Sequence, residues 1–284
     1  MSNIKGATIL ITGGGNGIGK LLGEKCLKEG AAQLIIWDIN PKNIEQTIQE
    51  FNNRGYQNVH GYVVDVADVD DIEKNATDVL LHIGNVDILF NNAGIIVGKR
   101  FWDHTSREIE RTVDINIKGV MQVTRVFLPD MMRQNKGHVV NIASAAGHIP
   151  VINQTIYSSS KWAVVGFSES LRLELEKDKY KVNITTICPS YINTGMFSGV
   201  KAPLFTPILE PEEIVSKIIK AVKSDQMMLL EPFIVKAIPF LKGILPLKYS
   251  YIALGLLGVL SSMDHFQGRS KEEAIPEKKR TVNK

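Results

Sequence analysis

The chain has 284 residues, 44% hydrophobic and 22% charged, the balance of a globular protein long enough to bury a large core without staples. A formal charge of only +3 points to no nucleic-acid partner, and its two cysteines, Cys26 and Cys188, lack metal-ligand or C-x-x-C spacing, which fits a reducing compartment without a disulfide framework or metal site. No targeting segment is expected at the N-terminus, and the longest apolar run, "IALGLLGVL" (252–260), is about half of the ~18 residues of a membrane span.

In chain order, "ATILIT" (7–12) reads as a buried strand, followed by glycines and a helix over 20–29. "AQLIIWDIN" (32–40) is the next strand, with a polar helical stretch at 41–53 behind it. Further strands are expected at "NVHGYVVDV" (58–66), "VDILFNNAG" (86–94), "GHVVNIAS" (137–144) and "VNITTICPS" (182–190), with helices between them. Short apolar strands alternating with helices predict an α/β fold, a doubly wound parallel sheet covered on both faces, in a single domain. After residue 200 the alternation stops. A proline-punctuated loop (202–209) then leads into a helix opened by the acids Glu212 and Glu213, and a stretch rich in apolar residues and proline follows.

"TGGGNGIG" (12–19) joins the first strand to the first helix, so Gly13, Asn16, Gly17, Ile18 and Gly19 are candidates to cradle a dinucleotide pyrophosphate. Glycines allow the tight turn and close backbone approach, and the helix N-terminus offers free N–H groups. Asp38, nineteen residues beyond Gly19 at the end of the second strand, can bond ribose hydroxyls and repel a 2′-phosphate. With no Lys or Arg in the loop before Gly19, NAD is favoured over NADP. Asp65, beside Val66, either faces the adenine edge of the same crevice or caps the next helix. "YSSSK" puts Tyr157 and Lys161 on one helix face, an arrangement that chance also supplies.

Together, "TGGGNGIG", "NNAG" (91–94), Asn116, Ser144 and "YSSSK" resemble, in order and spacing, the short-chain dehydrogenase/reductases, over residues 5 to 200. The resemblance implies a three-layer Rossmann-type fold with seven parallel strands, a homodimer or homotetramer, and a catalytic set of Asn116, Ser144, Tyr157 and Lys161. Tyr157 would be the general acid/base, Ser144 would bond the substrate oxygen, and Lys161 would hold the nicotinamide ribose and, together with the oxidised nicotinamide, lower the phenol pKa. Asn116 would support a water relay. Asn92, Ala93 and Gly94 would line the cofactor crevice, and Ile192 and Thr194 would meet the carboxamide. Pro189-Ser190 stands where the family usually has Pro-Gly, which leaves the local turn in question.

The ending "SSMDHFQGR" and the length of the apolar C-terminal stretch resemble the retinol and 17β-hydroxysteroid dehydrogenase branch. Residues 1–200 are accordingly expected to form the NAD-binding core, 201–267 a substrate lid with a C-terminal helical extension, and 268–284 a disordered tail. Leu204, Phe205, Ile208 and Leu209 either line an apolar substrate site or face the core. The extension is expected to pack on its own domain or across a dimer, with contact at a membrane surface as the alternative in an otherwise cytoplasmic protein. The expected activity is NAD-dependent interconversion of a lipophilic alcohol and its carbonyl. A 3-oxoacyl reductase, a short diol or acetoin dehydrogenase, and a non-catalytic NAD(H)-binding regulator are the alternatives.

Overall fold

The computed structural model describes residues 2–268. Seven strands form one parallel sheet in the order β3-β2-β1-β4-β5-β6-β7. They are β1 Thr8–Thr12, β2 Gln33–Asp38, β3 Val59–Val63, β4 Ile88–Asn91, β5 Gly137–Ile142, β6 Val182–Pro189 and β7 Met228–Glu231. The central strands are apolar on both sides because both faces are covered. In β2, Leu34 and Ile36 enter one core layer while Ile35 and Trp37 enter the other, and none is more than 1% exposed.

Helices α1 (Gly17–Lys28), α2 (Pro41–Asn53) and α7 (Pro211–Lys223) pack on the first face through Leu22, Phe51 and Ile218. On the second face lie α3 (Val69–His82), α5 (Val120–Gln134) and α6 (Thr155–Lys177), which contribute Ile72, Phe127 and Leu175. A short helix α4 (Ser106–Val113) opens with a capping box between Thr105 and Glu108 and precedes a π-helical segment, Asp114–Gly119. The fold is thus the three-layer Rossmann-type sheet expected, in one domain.

Two expectations change. The sheet runs beyond residue 200: α7 and β7 complete it, whereas the core was expected to end before them. Strand β7 is only four residues long inside an apolar region, too short for its period to distinguish it from helix. The helix-capping reading of Asp65 is overturned, because the Asp68 side chain accepts from the N–H groups of Asp70 and Asp71 and caps α3.

Beyond β7, helices α8 (Ala237–Ile244) and α9 (Leu247–Leu256) fold back on the domain, where Ile238, Leu254 and Leu257 pack around Tyr157, Tyr191 and Met263. Apart from Gly268, the tail expected over 268–284 lies outside the described residues. No helix among the described residues is long and apolar enough to cross a membrane.

Candidate active site

The sheet order reverses between β1 and β4, and the carboxyl ends of these strands open into a crevice, the place where parallel sheets bind ligands. The crevice is lined from Asp38, Asn40 and Asn43 at one set of loops to Tyr157 and Lys161 at another. Gly13, Asn16, Ile18, Asp65, Val66, Asn92, Ala93, Gly94, Ser144, Ile192 and Thr194 also line it. Of the predicted residues, Gly17, Gly19 and Asn116 stand behind this wall.

The glycine loop is held by contacts that only glycines permit. Gly13 has φ +63°, and a Cβ on Gly19 would lie 2.1 Å from the Gly13 carbonyl oxygen and 2.6 Å from Asn92 Nδ2. Asn16 caps α1 by accepting from the Gly17 N–H at 2.6 Å, which leaves later first-turn N–H groups available to an anion. These features fit a dinucleotide. Gly19→Ala is expected to lower unfolding stability by roughly 1–3 kcal/mol, because the opposing group is backbone and the loop must shift. An unchanged urea midpoint would contradict this close packing.

The clamp opposite was not legible in the sequence. The Asn92 amide donates to the carbonyls of Thr12 and Gly13, both at 3.0 Å, and the Thr12 hydroxyl accepts from the N–H of Asn92 at 3.0 Å and of Ala93 at 3.1 Å. "NNAG" therefore lines the crevice and also sews β4 to the loop after β1. Asp38 accepts from the N–H groups of Gly15 and Asn40, each at 3.0 Å, which fixes its carboxylate at the crevice wall. Asp65 accepts from the Ala67 N–H and pairs with Arg111 at 3.0 Å. Arg111, which also lines the crevice, comes from α4 and carried no motif.

Tyr157 and Lys161 project from the first turns of α6, one helical turn apart, and are 6% and 4% exposed. Lys161 Nζ lies 5.6 Å from the Tyr157 ring centroid and donates to the Ile142 carbonyl at 2.8 Å. Burial pushes the phenol above its ordinary pKa, and the hydrogen bond with Ser144 pulls the other way. Burial also lowers Lys161 to about 8, with the nearby Cys188 opposing. Desolvation is the largest influence on the phenol in the protein itself.

Ser144 follows β5 in an extended conformation, and its Oγ accepts from the Ala146 N–H at 3.1 Å. Asn116 lies in the π-helical segment, fully buried, and its side chain exchanges two hydrogen bonds with the Ile95 backbone, both at 2.9 Å. It also donates to Ser160 Oγ at 3.0 Å, and Ser160 in turn donates to the Tyr157 carbonyl at 2.7 Å. Asn116 thereby positions the crevice floor and the start of α6. At the Pro189-Ser190 departure, Ser190 takes no positive φ and donates its N–H to Glu231 at 2.8 Å, so the turn needs no glycine.

A second cavity meets the crevice at Ser144, Ser190 and Phe197. Its walls are mostly carbon, from Ile149 and Val151 on one side and Ile238, Leu241, Leu245 and Leu254 of α8 and α9 on the other. Lys242 ties α8 to the loop after Ser144, donating to the His148 carbonyl at 2.6 Å beneath the Trp162 ring, 4.1 Å from its centroid. Neither expectation for the loop apolars holds as a group. Leu209 is buried, Leu204, Phe205 and Ile208 are exposed, and none of the four lines the cavity.

Residues 7–203 match the family model described as short chain dehydrogenase. The chain is 38% identical to epidermal retinol dehydrogenase 2 of Mus musculus over 273 residues, 95% of this chain and 88% of that protein. It is 36% identical to estradiol 17-beta-dehydrogenase 11 of Homo sapiens over 248 residues, 87% and 82% of the respective lengths. Among solved structures, a short chain dehydrogenase/reductase from Burkholderia phymatum in complex with NAD has TM-score 0.77 at 25% identity, covering 90% of this chain and 97% of that one. A metagenomic short-chain oxidoreductase in complex with NADP has TM-score 0.68 at 26% identity, covering 81% and 98%.

Proposed function

The chain belongs to the short-chain dehydrogenase family, an oxidoreductase acting on CH–OH groups, and from that premise we propose that it uses NAD to interconvert a lipophilic alcohol and its carbonyl compound. The observation that carries the substrate class is the meeting of the crevice with an apolar cavity at Ser144. The relatives named for retinol and estradiol support the same class.

Gly13, Asn16, Gly17, Ile18 and Gly19 would hold the pyrophosphate, and Asp38 the adenine ribose. Asp65, Val66, Asn92, Ala93 and Gly94 would line the adenine and ribose path, with Ile192, Thr194 and Lys161 toward the nicotinamide. When bound, the nicotinamide accepts or donates the hydride. The Ser144 hydroxyl orients the substrate oxygen. Tyr157 then gives its phenolic proton to a carbonyl oxygen in reduction, or takes the hydroxyl proton of an alcohol in oxidation. Burial keeps the phenol protonated and ready to act as an acid. Base action requires positive charge beyond the Lys161 ammonium 5.6 Å from the ring, which an oxidised nicotinamide would supply when bound. Asn116 acts by position, its side chain being committed to Ile95.

Enzymes of this family are commonly oligomeric, and a homodimer or homotetramer belongs to this reading. So does peripheral contact of a cytoplasmic protein with a lipid surface. Phe233, Phe240, Ile244, Leu247 and Ile252 are exposed on the segment that walls the apolar cavity. Lys236 and Lys248 are exposed among them, and no acidic residue occurs between positions 232 and 263.

An absorbance screen with NAD and NADP over retinol, hydroxysteroids, long-chain alcohols and short diols tests the whole reading. NAD-linked turnover of the lipophilic alcohols is expected, with co-sedimentation of the protein on phosphatidylserine vesicles. Turnover confined to short diols would sink the substrate class, and a preference for NADP would sink the role of Asp38. A protein left in the supernatant would sink the lipid contact.

A further inference from the structure

Resting on the apolar cavity as the substrate site, we propose that Lys242 of α8 is a positioning residue for the substrate: a brace that holds the two walls of that cavity at a fixed spacing. A surface helix ordinarily turns its apolar residues inward and its lysines to water. Helix α8 does the reverse. Of residues 239–249, Lys242 alone is half-buried and the others are exposed, Phe240 and Ile244 at 68% and 64%. Withdrawing an ammonium from water has a cost that its partners must offset.

Those partners lie on two other elements. His148, whose carbonyl accepts from Lys242 Nζ at 2.6 Å, stands in the chain between Ala146 and Ile149, which belong to one cavity wall. Lys242 stands between Leu241 and Leu245, which belong to the other. The second partner is the Trp162 ring, its centroid 4.1 Å from Nζ, on α6 and one residue beyond Lys161. A charge-assisted hydrogen bond and a cation–π contact thus link the walls. Among the described residues, no other hydrogen bond or ion pair joins α8 to a part of the chain distant in sequence. Without this link the α8 wall rests on apolar contacts, which are non-directional and fix no spacing.

The placement separates binding from chemistry. Lys242 lines the apolar cavity and not the dinucleotide crevice, and its ammonium is committed to His148 and Trp162. Its loss therefore acts on how tightly the alcohol is gripped, and neither on the nucleotide nor on the proton step.

The test measures kcat and KM for the lipophilic alcohol that the wild type oxidises fastest, at saturating nucleotide, with urea midpoints in parallel. Lys242→Met keeps the stem and removes the ammonium. It is expected to raise KM for the alcohol roughly tenfold, with kcat and the KM for the nucleotide within about threefold of wild type. Lys242→Arg, which keeps a charged donor able to stack on the ring, should stay within about threefold throughout. Trp162→Leu should raise the same KM by less, and the double variant should be no worse than Lys242→Met, because both changes act on one link. If Lys242→Met does not fold, Trp162→Leu and Lys242→Arg still read the brace. An unchanged KM in Lys242→Met, or single effects that add in the double variant, would overturn the proposal. So would a loss confined to kcat or in step with the urea midpoint, which is the mark of a purely structural residue. Absence of turnover by the wild type with every lipophilic alcohol is a different failure, that of the substrate class, and takes the inference with it.

Discussion

Tyr157→Phe is expected to reduce turnover roughly 10²–10⁴-fold while leaving NAD binding within a few-fold of wild type. The substitution removes one oxygen from a ring packed edge-on against Phe197 at 6.2 Å between centroids, so the packing survives. What is lost is the only phenolic group lining the crevice among the described residues, hydrogen-bonded to Ser144. Because burial holds the phenol above its ordinary value, the wild type should run faster toward alcohol at neutral pH and gain oxidation rate as pH rises. Turnover unaffected by the loss of the hydroxyl would mean that the proton moves through another group. A protein whose cellular role survived the same substitution would be a nucleotide-binding regulator.

Lys161→Met separates chemistry from stability. Turnover is again expected to fall by roughly 10²-fold or more, since the charge beside Tyr157 disappears. The stability effect has a sign set by linkage. Lys161 has a folded-state pKa lowered to about 8 by burial, against ~10.4 when unfolded. Below about 8 it is charged in both states, and the fold bears the desolvation penalty in full. As pH rises from about 8 toward ~10.4 that penalty fades. The stability of the wild type relative to Lys161→Met should therefore climb over that window, by up to roughly 3 kcal/mol. Comparing the variant with the wild type at each pH cancels most other titrations. Urea midpoints in parallel across that range would refute a buried, depressed ammonium.

The parts of this site that were readable in advance share one property: the chemistry lies within a few consecutive residues. The glycine loop, Asp38 at a strand end and the Tyr157–Lys161 turn each declare themselves locally, because a turn, a strand end and a helix face fix where side chains point. The α/β alternation made the layers legible for the same reason. What stayed hidden needs contacts across the chain. Thr12 meets Asn92 and Ala93 eighty residues on, Arg111 reaches back to Asp65, and Asn116 faces Ile95 from a π-helical segment that no periodicity announces. The lid residues failed for a related reason. Leu204 and Phe205 have the composition of a pocket wall, but the wall is built from helices thirty and more residues later.

The two cavities draw on different stretches of the chain. The residues proposed for the proton step, Ser144, Tyr157 and Lys161, come from the end of β5 and the start of α6, whereas much of the apolar cavity wall comes from positions 234 to 259. If the apolar cavity is the substrate site as proposed, rewriting the second stretch should change which molecules are accepted without disturbing the first. Such a chain can diversify in diet while inheriting its chemistry intact, and grafting that C-terminal cassette between relatives would transfer appetite rather than mechanism.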